Sequence, residues 1–117
     1  MWSIRAFLVG IALLIPSNAN AHAILVNSSP AAHGTVTGQS VQLLLQFNSR
    51  VDASRSRLVL AVASGPGQAL KINETSPTDK LSANASDLKP GNYRVLWQVL
   101  AVDGHVTRGE LEFEVKP

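Results

Sequence analysis

Three histidines and one aspartate are the residues of this chain whose types and spacing suit coordination chemistry: His22, His33, Asp103 and His105. His22 directly follows Ala19-Asn20-Ala21, an A-x-A processing site. Cutting after Ala21 would put a free α-amine and an imidazole on the same residue, and together they can chelate one ion. Asp103 and His105 flank Gly104. In extended backbone, residues two apart project to the same side, and Gly104 permits a bend, so a carboxylate and an imidazole can converge. An amine nitrogen, two imidazole nitrogens and a carboxylate oxygen suit a tetragonal site, which points to Cu(II). Zn(II) accepts similar ligands. All the nitrogens must be deprotonated. Ordinary values are about 6.5 for an imidazole and about 7.7–8.0 for an α-amine, so uptake should weaken in acid. Soft ligands, which favour Cu(I), are missing: there is no Cys, and the single Met is Met1.

The same residues have plainer readings. Asp-Gly between two alternating apolar runs is also a strong hairpin signal, so spacing alone leaves Asp103 and His105 open between turn and ligands. His33 lies in Pro30-Ala31-Ala32-His33-Gly34, which reads as an exposed loop. Glu110, Glu112 and Glu114 alternate with apolar residues and read as the solvated face of a strand. No Gly-rich phosphate loop and no nucleophile motif around a serine is present.

The segments around these residues define how they must be positioned. Residues 1–21 read as a secretory signal peptide: Arg5 is the positive n-region, Ala6–Ile15 the apolar h-region, and Pro16 breaks it. An apolar run of about ten residues is half of the roughly 20 that a membrane span needs. The remaining 22–117 form one domain, expected to be exported to a bacterial periplasm. Without disulfides it must hold together by packing alone. Its nine Lys/Arg and eight Asp/Glu are scattered, with no basic run of the kind that binds nucleic acid.

Apolar residues follow a two-residue period throughout. Val41–Phe47, Tyr93–Val99 and Gly109–Val115 alternate most regularly, and weaker strands are expected at Ala23–Asn27, Arg57–Ala63, Ala69–Ile72 and Lys80–Ala83. Turn residues separate them at Ser28-Ser29-Pro30, Gly34, Gly38, Gly65-Pro66-Gly67, Ser76-Pro77-Thr78-Asp79 and Lys89-Pro90-Gly91-Asn92. About seven short strands with frequent turns predict an all-β antiparallel sandwich or Greek-key barrel. Trp97 is expected to fill its core.

At these residues the chain resembles the CopC family of periplasmic copper-binding proteins. The resemblance runs through His22-Ala23, Ser29-Pro30-Ala31, Val41–Phe47, Leu88-Lys89-Pro90-Gly91-Asn92-Tyr93, Val95–Val99, Asp103-Gly104-His105 and Gly109–Phe113. It implies a seven-stranded Greek-key β-barrel close to an immunoglobulin-like sandwich. It also implies that His22 binds Cu(II) through amine and ring, with Asp103 and His105 completing the site and His33 outside it. Some members carry a Met-rich Cu(I) site, which this sequence lacks, so a Cu(II)-only member is expected. A CopD-type inner-membrane protein is the partner the resemblance suggests.

The expected function is therefore a periplasmic Cu(II)-binding protein that sequesters or delivers copper, without turnover. Two rivals are a metal-free immunoglobulin-like adhesion or assembly module and a small copper oxidase built on an N-terminal histidine brace. Cleavage after Ala19 would instead start the chain at Asn20-Ala21-His22, which can wrap Cu(II) through backbone amides without Asp103 or His105.

Overall fold

Val41–Phe47 and the more distant run from Arg57 join in one element. In the computed structural model, which describes residues 23–62, 65–74 and 77–117, the third strand extends over Val41–Val62 without interruption. The seven strands are β1 (Leu25–Ser29), β2 (Gly34–Thr37), β3 (Val41–Val62), β4 (Gln68–Leu70), β5 (Thr78–Ala85), β6 (Gly91–Ala101) and β7 (Val106–Lys116). Among the described residues there is no helix. The expected all-β fold is thus observed. Boundaries move by one to three residues, and Ser28 and Ser29, read as turn, end β1.

The length of β3 has a cause in its side chains. Leu43, Leu45, Phe47, Val51 and Ala53 are buried on odd positions, then Leu58 and Leu60 on even ones. A change of parity would normally turn an apolar set outward. Here the ladder breaks between Asp52 and Arg57, and the extra backbone resets the face, as a bulge does. Asp52 shapes the break. Its Oδ1 accepts hydrogen bonds from Ser54 N (3.1 Å) and Ser54 Oγ (2.7 Å). Ser56 Oγ donates to Asp52 O (2.7 Å) and accepts from Leu100 N (3.2 Å).

Because of this bend, β3 serves two layers. Its first half lies between β1 and β5, pairing antiparallel with both. Its second half lies between β4 and β6. The sheet continues through β7 to β2, in the order β1-β3-β6-β7-β2. This non-sequential order is that of a Greek-key sandwich.

The core sits between the layers. The Phe47 ring of β3 meets the Trp97 ring of β6 edge-on, with centroids 5.2 Å apart. Trp97 is buried, as expected from the sequence. It lies over Gly109, its partner on β7: a Cβ there would come within 2.3 Å of Trp97 Cζ2. Tyr93 stacks on Phe113 with centroids 5.7 Å apart. Its hydroxyl donates to Lys89 O (2.7 Å) and accepts from Lys89 N (2.9 Å), which closes the turn before β6.

β2 is an element that the sequence reading missed. Gly34 and Gly38 bound it, and of its four residues Gly-Thr-Val-Thr only Val36 packs on the core. So short a polar strand shows no period. It is held by parallel pairing with the end of β7, from Gly34↔Phe113 to Thr37↔Lys116.

Candidate metal centre

Asp103 and His105 lie in the turn that joins β6 to β7. Ala101 N donates to His105 O and Gly104 N to Ala101 O, both at 2.8 Å. Gly104 has φ +97°, a left-handed conformation that a side chain would strain. The two expected ligands do meet, but by another route than same-side projection along a strand. The Asp103 carboxylate folds over the turn, and its Oδ1 accepts from His105 N at 3.1 Å. The same oxygen lies 3.2 Å from His105 Nδ1. Both side chains are about half exposed.

The electrostatics follow from these contacts. The His105 backbone N–H, and next the His105 ring, hold the Asp103 carboxyl below the usual carboxylate range. An ionised carboxylate is therefore presented beside an imidazole. Two ligands at about 2.0 Å and at right angles on one ion are separated by about 2.8 Å. The 3.2 Å gap is a hydrogen-bond distance, wider than that bite, so the pair would have to draw together to hold one ion.

His22 and the whole of 1–21 lie outside the described residues, so the structure says nothing of the expected third ligand or of the leader. Among the described residues no group of three or more His, Cys, Asp and Glu side chains is gathered tightly enough to hold a metal ion. The structure does fix what stands next to His22 in the chain. Ala23 is fully buried. Ile24 is clamped to Asn48 of β3: Ile24 N donates to Asn48 Oδ1 (2.8 Å), and Asn48 N donates to Ile24 O (2.9 Å).

The register of β3 relates this clamp to the turn. Leu44 pairs with both Ser29 of β1 and Ser82 of β5, so β1 and β5 occupy opposite edges. Val51 pairs with both Thr78 of β5 and Ala101 of β6, so β6 takes the edge that β1 has left. Traced backwards, β1 climbs this edge from Leu25↔Phe47 to Ile24 at Asn48. Traced forwards, β6 descends it from Ala101↔Val51 to Val102, whose N donates to Arg50 O at 3.1 Å. The two segments head towards each other and converge at Ser49. Two residues of strand, roughly 6.6 Å, separate their last anchor points.

His33 stands apart. It occupies the turn between β1 and β2 with φ +61°, and its N donates to Glu112 O at 2.7 Å. Glu112 is seven residues along β7 from His105, about 23 Å of extended chain. Among the three glutamates on the outer side of β7, Glu110 pairs with Arg94 at 3.1 Å. What the sequence reading did not find is Asn48. A single Asn inside an apolar run carries no local signal of the segment, 24 residues earlier, that it holds.

Comparisons with known proteins bear on the whole domain. The family model of the CopC domain matches residues 25–116. Copper resistance protein C of Xanthomonas campestris pv. juglandis is 31% identical over 113 residues, 90% of this chain and 88% of that one. Protein YobA of Escherichia coli (strain K12) is 35% identical over 109 residues, 88% and 86% of the two chains. Among solved structures, CopC from Methylosinus trichosporium OB3b aligns with a TM-score of 0.72 at 29% identity, covering 82% of this chain and 95% of that one. PcoC, a methionine-rich copper resistance protein from Escherichia coli, aligns with a TM-score of 0.62, covering 81% and 99%. Its 23% identity speaks for the fold alone. A family model that spans all seven strands, together with relatives above 30% identity over most of both chains, establishes that this chain belongs to the CopC family.

Proposed function

We propose that this protein binds Cu(II) in the periplasm and sequesters or delivers it, as a binding module without turnover. The leader is removed after Ala21, and the mature domain starts at His22. The His22 amine and imidazole, the His105 imidazole and the Asp103 carboxylate hold the ion. The observation that carries this reading is the convergence of two segments on one edge of β3, at Asn48 and Arg50. His22 is one Cα–Cα step of 3.8 Å from buried Ala23, and Asp103 immediately follows Val102. Clamping both segments to the same strand lowers the entropy that the ligands lose on binding.

Two further observations support the choice of ion. The donor set is nitrogen and oxygen, which suits Cu(II) and Zn(II) better than Cu(I). The chain has no Met beyond Met1 and no Cys, the soft ligands that would favour Cu(I). A CopD-type inner-membrane protein is the proposed recipient or source of the ion.

Equilibrium dialysis of the processed protein against Cu(II), with electron paramagnetic resonance of the loaded form, tests the reading. One tightly held ion per chain with a nitrogen-rich spectrum is expected. No stoichiometric uptake would favour a metal-free module. An intact mass that begins at Asn20 would move the site to the N-terminal backbone. Oxygen consumption with reductant and a glycan would favour the oxidase.

A further inference from the structure

The proposed carboxylate ligand is followed directly by a glycine. Asp103 is the one aspartate of the chain followed by glycine: Asp52 precedes Ala53, Asp79 precedes Lys80, and Asp87 precedes Leu88. We propose that Asp103–Gly104 is a site of aspartate isomerisation in the metal-free protein. In the minor, protonated form of the Asp103 carboxyl, Gly104 N attacks Cγ and gives up its proton, the carboxyl O–H leaves with that proton as water, and a five-membered succinimide forms. Water then opens the ring at either carbonyl. Opening at one regenerates aspartate. Opening at the other routes the main chain through the former side chain, giving isoaspartate.

Three features of the turn permit this step. The attacking nitrogen must not be shielded by its own side chain, and Gly104 has none. The incoming water must reach Cγ, and the Asp103 side chain is 45% exposed. The turn must flex, and residues 103–105 are exposed and add nothing to the core, so opening them locally costs little compared with global unfolding. Two contacts oppose the reaction. Gly104 N is engaged with Ala101 O at 2.8 Å, and Asp103 Oδ1 is held by His105 N and faces Nδ1. His105 therefore acts as a brake, because it keeps the carboxylate turned towards itself.

The significance of this site rests on the copper reading, since isoaspartate would lengthen the backbone by one carbon at a ligand. Its occurrence does not. The metal-free processed protein is aged in heavy-oxygen water at neutral pH, digested and mapped by mass. Heavy oxygen and isoaspartate should accumulate at Asp103 at a rate several-fold above that at Asp52, Asp79 and Asp87 in the same sample. His105→Ala should raise the rate further, and Asp103→Glu should abolish the signal. A rate at Asp103 no higher than at the other three aspartates would overturn the proposal. A Cu(II)-loaded sample separates the two ideas. Suppression by the ion supports both, whereas equal rates with and without it leave the modification site standing and remove Asp103 from the ligand set.

Discussion

At the residue scale, the Asp103–His105 contact makes two predictions. His105→Ala should weaken Cu(II) binding by more than about tenfold and change the electron paramagnetic resonance spectrum, while far-ultraviolet circular dichroism stays unchanged. A variant with native affinity and spectrum would remove His105 from the site. The second prediction concerns acid. The carboxyl of Asp103 is depressed in the folded protein, mainly by the His105 backbone N–H. Its contribution is then fully present above the ordinary value of about 3.9, and it fades as pH falls through the lower folded value. A carbon-detected NMR titration of Asp103 should show a midpoint below that ordinary value. The ring's smaller share of the effect should vanish in His105→Ala, where the midpoint rises part of the way back. At this scale the contact between Asp103 and His105 and the burial of Trp97 were legible in the sequence. The i, i+2 spacing brought Asp103 and His105 together correctly, although a folded turn rather than extended backbone achieves it. Trp97 was legible because a large aromatic on a strict alternation has nowhere to go but the core.

Legibility falls at the scale of elements. Alternation located the strands from Val41, Tyr93 and Gly109 because each buries one face against the other layer. It could not show that Val41–Val62 is one strand, since the bulge after Asp52 reverses the parity on which alternation depends. Nor could it reveal β2, whose pairing with β7 is set by residues almost 80 positions away. Asn48 is the element-scale device with the clearest consequence. Its Oδ1 accepts the Ile24 N–H and fastens the start of β1 to β3. Asn48→Ala removes that bond, worth about 0.5–1.5 kcal/mol. Amide exchange at Ile24 should accelerate. Copper affinity should fall by about two- to tenfold, since the first ligand is then less well placed. Faster exchange with unchanged affinity would show that the clamp serves the fold alone.

For the whole molecule, the proposed site exists only after processing and folding have both occurred. A variant with one alanine inserted before His22 keeps every strand but blocks the amine's place at the ion. It should fold normally and lose most of its Cu(II) affinity, as judged by dialysis. Retained affinity would relocate the site. Stability, by contrast, depends on the core between the layers. Trp97→Ala should cost about 3–5 kcal/mol in chemical denaturation. Gly109→Ala, which drives a methyl into the indole, should cost about 1–3 kcal/mol.

The indole over Gly109 also works as an indexing pin. If β6 slid along β7 by one position, Trp97 would turn out of the core. If it slid by two, the ring would meet the side chain of Thr107 or Leu111, and only Gly109 offers the notch it needs. The two strands can therefore engage in a single alignment, which fixes how many residues loop between Ala101 and Val106. A ring buried in oil thus meters the length of an exposed bend that it never touches, and it ensures that every copy of the protein offers its carboxylate and imidazole at the same reach.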